Sequence, residues 1–133
     1  MTSEQEEWNE HYRISDHPIV LEIERRVHGT DYGINSFTTR DQAEELVEKL
    51  GLTPEKRLLD LGSGSGWPGL YLAKQSGCAV VLCDLPVTGM DRARRRALRD
   101  GIADQCQFVV GSGDKLPFRS GTFDAVTHAD VLC

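Results

Sequence analysis

The stretch over residues 57–72, RLLDLGSGSGWPGLYL, limits what this chain can fold into more than any other. Leu58, Leu59 and Leu61, interrupted only by Asp60, form an apolar run of the kind that makes a buried parallel strand. Gly62, Gly64 and Gly66 follow at alternate positions. Trp67, Leu70, Tyr71 and Ala73 then recur at helical spacing, with Pro68 near the opening, where a missing N–H does no harm. The pattern is strand, tight glycine turn, helix. Glycine is needed in such a turn because a ligand approaches the main chain closely and because the turn demands φ values that a Cβ disfavours. The free N–H groups of the helix start then face that ligand.

Two ligand classes use a turn of this kind. Residues 64–69 match the G-x-G-x-x-G dinucleotide fingerprint, with Asp84 near the distance downstream expected for a ribose contact. Asp60 discriminates between them. It lies at the end of the strand, two residues before the first glycine, where it would repel a pyrophosphate and attract a ligand that carries an ammonium and a sulfonium. With this D-x-G-x-G-x-G, the chain resembles the class I, Rossmann-like S-adenosylmethionine-dependent methyltransferases. The resemblance recurs in VVLCDLP, VVGSGDKLPF and FDAVTHADVLC and covers roughly residues 36–133. An NAD(P)-binding oxidoreductase and a non-catalytic cofactor-binding module are the competing function classes.

At 133 residues there is room for one domain, and 39% hydrophobic with 27% charged residues is the balance of an ordinary soluble globular protein. Residues 1–51 are expected to form a helical cap region and 52–133 the cofactor-binding α/β half. No apolar run approaches the ~20 residues of a membrane span, so a cytoplasmic protein with no membrane partner is expected. A net charge of −6 argues against general affinity for nucleic acid. Cys78, Cys83, Cys106 and Cys133 show no C-x-x-C spacing, and buried free thiols are expected rather than a metal site.

Glutamate-rich residues 1–14 read as a frayed start, with Trp8 and Tyr12 as the only large apolar groups. Ile19, Val20, Ile23 and Val27 predict a short amphipathic helix closed by Gly29. Thr39 with Gln42 has capping-box form and opens a second helix over about 40–50. In the resembled family such helices cover the cofactor or substrate, so residues 32–38 are a candidate lid; helices that merely cover the sheet are the plainer alternative. Residues 79–83 are a continuous apolar run ending in Asp84, a second parallel strand with a carboxylate at its ligand-binding end. Thr88 and Asp91 stand at capping-box spacing before a helix that ends at Gly101. Its five arginines (Arg92, Arg94, Arg95, Arg96, Arg99) read as a solvated face. Residues 107–110 make a third strand and 123–127 lead into a fourth.

The resemblance implies a mostly parallel α/β sheet of order 3-2-1-4 with helices on both faces. It is truncated relative to the family's seven strands, as in the cofactor-binding half of a larger enzyme. It implies S-adenosylmethionine bound by Asp60, Gly62, Ser63, Gly64 and Gly66, with Asp84 on the ribose diol and Leu85 on the adenine face. The family's usual aspartate after the third strand is replaced by Ser112, so Ser112 and Gly113 are the expected adenine contacts, ahead of Asp114. His128 follows the fourth strand, where it serves either as a proton acceptor for the methyl acceptor or only through its main-chain carbonyl. Asp130 is a weaker alternative for the same role. A small-molecule acceptor is expected, together with self-association through an exposed edge of the fourth strand.

Overall fold

The computed structural model describes residues 1–33 and 36–129. Four strands, β1 Arg57–Leu61, β2 Ala79–Asp84, β3 Cys106–Val110 and β4 Ala125–Thr127, form one parallel sheet in the expected order β3-β2-β1-β4. Asp60 is paired with Leu82 on one side and Thr127 on the other. All four strands therefore end along one edge of the sheet, the edge at which open α/β sheets receive ligands.

Alternation along the strands decides which side chains face which layer. Leu58, Val80 and Leu82 point to one face, where they are buried against Leu70 and Leu72 of α4 (Gly69–Ser76) and Met90, Ala93 and Ala97 of α5 (Val87–Arg99). A fully buried leucine contributes about 1.5–3 kcal/mol, so this layer supplies most of the apolar stabilisation. Leu59, Val81 and Cys83 point to the other face, which Phe118 and Phe123 from the loop before β4 cover. Among the described residues the expected helical layer is thus present on the first face, and a loop closes the second. Cys78 and Cys83 are buried free thiols, as expected, and Cys106 is a half-buried one; Cys133 lies outside the described residues. Among the described residues no helix is long and apolar enough to cross a membrane.

Three departures from expectation involve the N-terminal helices. Residues 1–14 are not frayed: α1 spans Ser3–Ile14, opened by a capping box between Thr2 and Gln5. It is held because Tyr12 and Asn9 are buried against the rest of the chain. In α2 (Pro18–His28) the apolar stripe Ile19, Ile23 and Val27 is exposed, and Glu24 is the buried residue. Both Glu24 carboxylate oxygens accept from the Gly33 amide, at 3.0 and 2.9 Å, which turns that polar position inward. Finally, the start of α5 lacks the expected Thr88 cap. The Thr88 amide donates instead to Asn9 Oδ1 at 3.0 Å, so a side chain from α1 caps α5. Helix α3, Arg40–Lys49, has the predicted Thr39–Gln42 capping box.

The arginines of α5 are not one solvated face. Arg92 is buried, donating to the Tyr12 carbonyl at 2.7 Å and to Asp16 at 2.7 Å. Arg96 lies 4.0 Å over the Tyr32 ring and pairs with Asp31 and Asp100. Asp16 and Asp31, 76 and 65 residues away in sequence, draw the two side chains inward, and Asp100 one turn on adds a local partner for Arg96.

Candidate functional site

The glycine turn between β1 and α4 lies at the carboxyl edge of the sheet. Its backbone folds back on β2: the Gly62 amide donates to the Cys83 carbonyl at 2.8 Å, and the Gly66 amide to the Ser63 carbonyl at 2.7 Å. Gly64 (φ +52°) and Gly66 (φ +100°) occupy conformations that favour glycine, and both are tightly enclosed. A Cβ on Gly64 would meet the Tyr12 hydroxyl at 2.6 Å, and one on Gly66 would meet the Leu70 side chain.

Two carboxylates frame the turn. Asp84 Oδ2 accepts from the Gly64 amide at 2.7 Å and Oδ1 from the Leu85 amide at 2.8 Å. Burial raises the pKa of Asp84, and these two amide bonds pull it back. Asp60 is 1% exposed. Its Oδ2 accepts from the Gly69 amide at the start of α4 (3.0 Å) and its Oδ1 from the Thr127 hydroxyl (3.2 Å). Burial pushes its pKa up to about 7 against the pull of both hydrogen bonds, and the charge of Asp84 raises it further. Asp60 therefore sits beneath the turn, tying β1, β4 and α4 together, and acts on anything above the turn only through its field.

The cleft over the turn is lined by Gly62, Ser63, Gly64 and Ser65, with Tyr12 and Trp67 as its aromatic walls and Ala129 at its far side. The Ser65 hydroxyl is buried and has no hydrogen-bond partner among the described residues. A buried orphan hydroxyl costs about 1–3 kcal/mol and is satisfied when a polar ligand arrives. The Ser63 hydroxyl lies 3.5 Å from Met90 Sδ. Trp67 is fixed by its Nε1–H donating to the Thr38 carbonyl at 3.0 Å.

The structure thus brings together Asp60, Gly62, Ser63, Gly64, Gly66 and Asp84. Leu85 follows immediately, 40% exposed beside Asp84. Ser112 and Gly113 lie on the adjoining loop, which is anchored by the Gly111 amide donating to the Asp84 carbonyl at 3.1 Å. Gly113 lies next to the Leu61 side chain, and the Ser112 hydroxyl accepts from the Asp114 amide at 3.3 Å. His128 is exposed directly after β4, one residue beyond the Thr127 that holds Asp60. Asp130 lies outside the described residues. Sequence reasoning did not assign Tyr12, Ser65 or Trp67 to the cleft. Ser65 was legible from its place between two turn glycines; Tyr12 carried only the hint of an isolated aromatic in an acidic segment. Among the described residues there is no His, Cys, Asp and Glu cluster that would hold a metal ion.

A methyltransferase domain model matches residues 58–133. The chain belongs to the methyltransferase domain family. The demethylmenaquinone methyltransferase of Beutenbergia cavernae is 40% identical to this domain over 81 residues, covering 61% of the chain and 31% of the relative. The glycine/sarcosine/dimethylglycine N-methyltransferase of Actinopolyspora halophila is 32% identical over 87 residues, covering 65% and 15%. A solved S-adenosylmethionine-dependent methyltransferase from Thiobacillus denitrificans, in complex with S-adenosyl-L-homocysteine, superposes with a TM-score of 0.65 at 28% identity over 85% of this chain and 44% of that one. This methyltransferase domain spans less than two thirds of the length of each of these proteins.

Proposed function

We propose that this methyltransferase domain binds S-adenosylmethionine over its glycine turn and belongs to an enzyme that methylates a small molecule. The observation that carries it is the Asp84 carboxylate bonded to the Gly64 amide, which sets a diol acceptor at the rim of the turn in a chain of this family. The donor set suits such a cofactor. The orphan Ser65 hydroxyl lacks a partner among the described residues, and the absence of a Cβ at Gly64 lets the Tyr12 ring close over the turn as one wall of the cleft.

Bound there, S-adenosylmethionine supplies a methyl group activated by a sulfonium sulfur. This chain's residues hold and orient. Asp84 accepts from the ribose hydroxyls, Leu85 covers one face of the adenine, and the Ser112 hydroxyl with the Gly113 amide meets its polar edge. Gly62, Ser63, Gly64 and Gly66 let the main chain come close. Asp60 biases the potential over the turn toward cations to the extent that it is ionised near pH 7. Catalysis of this kind rests mainly on oriented proximity in a water-poor pocket, worth ~7–11 kcal/mol. His128 is the candidate proton acceptor, or else contributes its carbonyl; Asp130 is the second candidate.

A small-molecule acceptor is supported by relatives named for glycine, sarcosine and demethylmenaquinone. The net charge of −6 opposes a nucleic-acid partner. The free thiols fit a reducing, cytoplasmic compartment. Val126 is half exposed on β4, which supports self-association along that edge. Titration with S-adenosylhomocysteine and with NAD tests the cofactor assignment.

A further inference from the structure

Away from the glycine turn, α2 and α5 enclose a second cavity of about 330 Å³. Positions 92, 95, 96 and 99 fall at i, i+3, i+4 and i+7, so α5 presents four arginines on one face, and α2 adds Arg25. Against these five guanidinium groups the lining holds two carboxylates, Asp16 and Asp31, which leaves it with a formal charge of +3 in a chain of net charge −6. Asp100, Asp91 and Glu22, just outside the lining, pair with Arg96, Arg95 and Arg25, so the charge left open to a ligand is concentrated at Arg99 and the weakly held Arg95.

The arginines divide by burial. The Arg92 side chain is 7% exposed and the Arg96 side chain 17%; both are fixed by Asp16, Asp31 and Asp100 and form the rigid floor. Arg95 is 63% exposed and holds only a 3.2 Å pair with Asp91 on its own helix, an arrangement worth little in water. Arg99 is exposed and has no side-chain partner among the described residues. Two guanidinium forks are therefore available above a floor that internal carboxylates already satisfy. Forked donors match phosphate oxygens in pairs. The cavity, about 330 Å³ and open to solvent on one side, has room for a diphosphate.

We infer that the cavity between α2 and α5 is an anion site that takes a diphosphate group, free or carried on a small organic molecule. The site is distinct from the glycine turn. Arg92 lies at the seam between them, donating to the carbonyl of Tyr12, whose ring covers Gly64. A ligand that bridges Arg95 and Arg99 leaves that seam intact.

The test is calorimetric titration and thermal melting with inorganic diphosphate, with sodium chloride at matched ionic strength as reference. Saturable binding and a rise in melting temperature beyond the chloride reference are expected. Arg95→Glu/Arg99→Glu should weaken binding at least tenfold, while Arg94→Glu, half that charge change on an exposed α5 arginine outside the cavity lining, should leave it within twofold. Arg95→Gln/Arg99→Gln provides a milder version should the double glutamate variant melt early, and it should show the same loss. Adenosine diphosphate separates the two sources: binding tighter than that of inorganic diphosphate and lost in Arg95→Glu/Arg99→Glu identifies a carried group, and equal binding a free anion. Absence of binding beyond chloride overturns the inference. So does equal binding by wild type and the double variants, which would place the anion at the glycine turn instead.

Discussion

The Asp84 carboxylate accepts a hydrogen bond from the Gly64 amide at 2.7 Å, across 20 residues of sequence. With the Leu85 amide on its other oxygen, the group is oriented before any ligand arrives. Orientation in advance lowers the ordering cost of binding.

Asp84→Ala is therefore expected to weaken S-adenosylhomocysteine binding by ~1.5–3 kcal/mol, the range for hydrogen bonds to a charged group. That is roughly a 10- to 150-fold rise in Kd. The variant should still unfold cooperatively, since the burial of Leu58, Val80 and Leu82 is untouched. Calorimetric titration beside a melting curve checks this; unchanged affinity with unchanged melting removes the ribose assignment.

Asp60 predicts a pH dependence of stability. Its folded-state pKa of about 7 exceeds the usual carboxylate value of 3.8 because the side chain is buried. Between about pH 4 and pH 7 the folded chain keeps a proton that the unfolded chain has released, so this group's contribution to stability falls as pH rises through that window. Asp60→Asn can keep the bond from the Gly69 amide and a contact with Thr127, and it removes the titration. Urea midpoints at pH 4.5 and 7.5 should show the variant gaining on the wild type at the higher pH. A difference independent of pH would contradict the assignment.

The cap of α5 is a third point of measurement. Asn9→Ala should cost about 1 kcal/mol by removing the acceptor for the Thr88 amide, whereas Thr88→Ala should cost much less, because no side-chain hydrogen bond caps that helix from within. Denaturant melts of the two variants distinguish these outcomes; a larger loss for Thr88→Ala would restore the local capping box.

Much of this architecture was legible because it is encoded locally. The apolar run around Asp60 and the one ending in Asp84 mark two strands and their ligand-binding ends, and the spacing of Gly62, Gly64 and Gly66 marks the turn between strand and helix. What was hidden depends on contacts between distant segments. Nothing in an acidic N-terminus announces that Tyr12 will cover Gly64 or that Asn9 will cap α5. Likewise the helical spacing of Ile19, Ile23 and Val27 predicts a buried stripe, yet the Gly33 amide draws Glu24 inward instead. The apolar run places Asp60 in the strand, but its burial under the turn depends on Thr127 from a strand 67 residues away.

His128→Ala, made in an enzyme with its acceptor identified, should lower turnover by about 10²-fold and flatten the pH profile if the imidazole accepts the proton. Wild-type turnover across pH would leave residue 128 only its carbonyl.

The central claim, that the glycine turn of this methyltransferase domain binds S-adenosylmethionine, is tested most directly by isothermal titration of the chain with S-adenosylhomocysteine and, separately, with NAD. The account predicts saturable one-to-one binding of S-adenosylhomocysteine, displaced by S-adenosylmethionine, and no heat from NAD. Binding of NAD with no binding of either sulfur compound would contradict it.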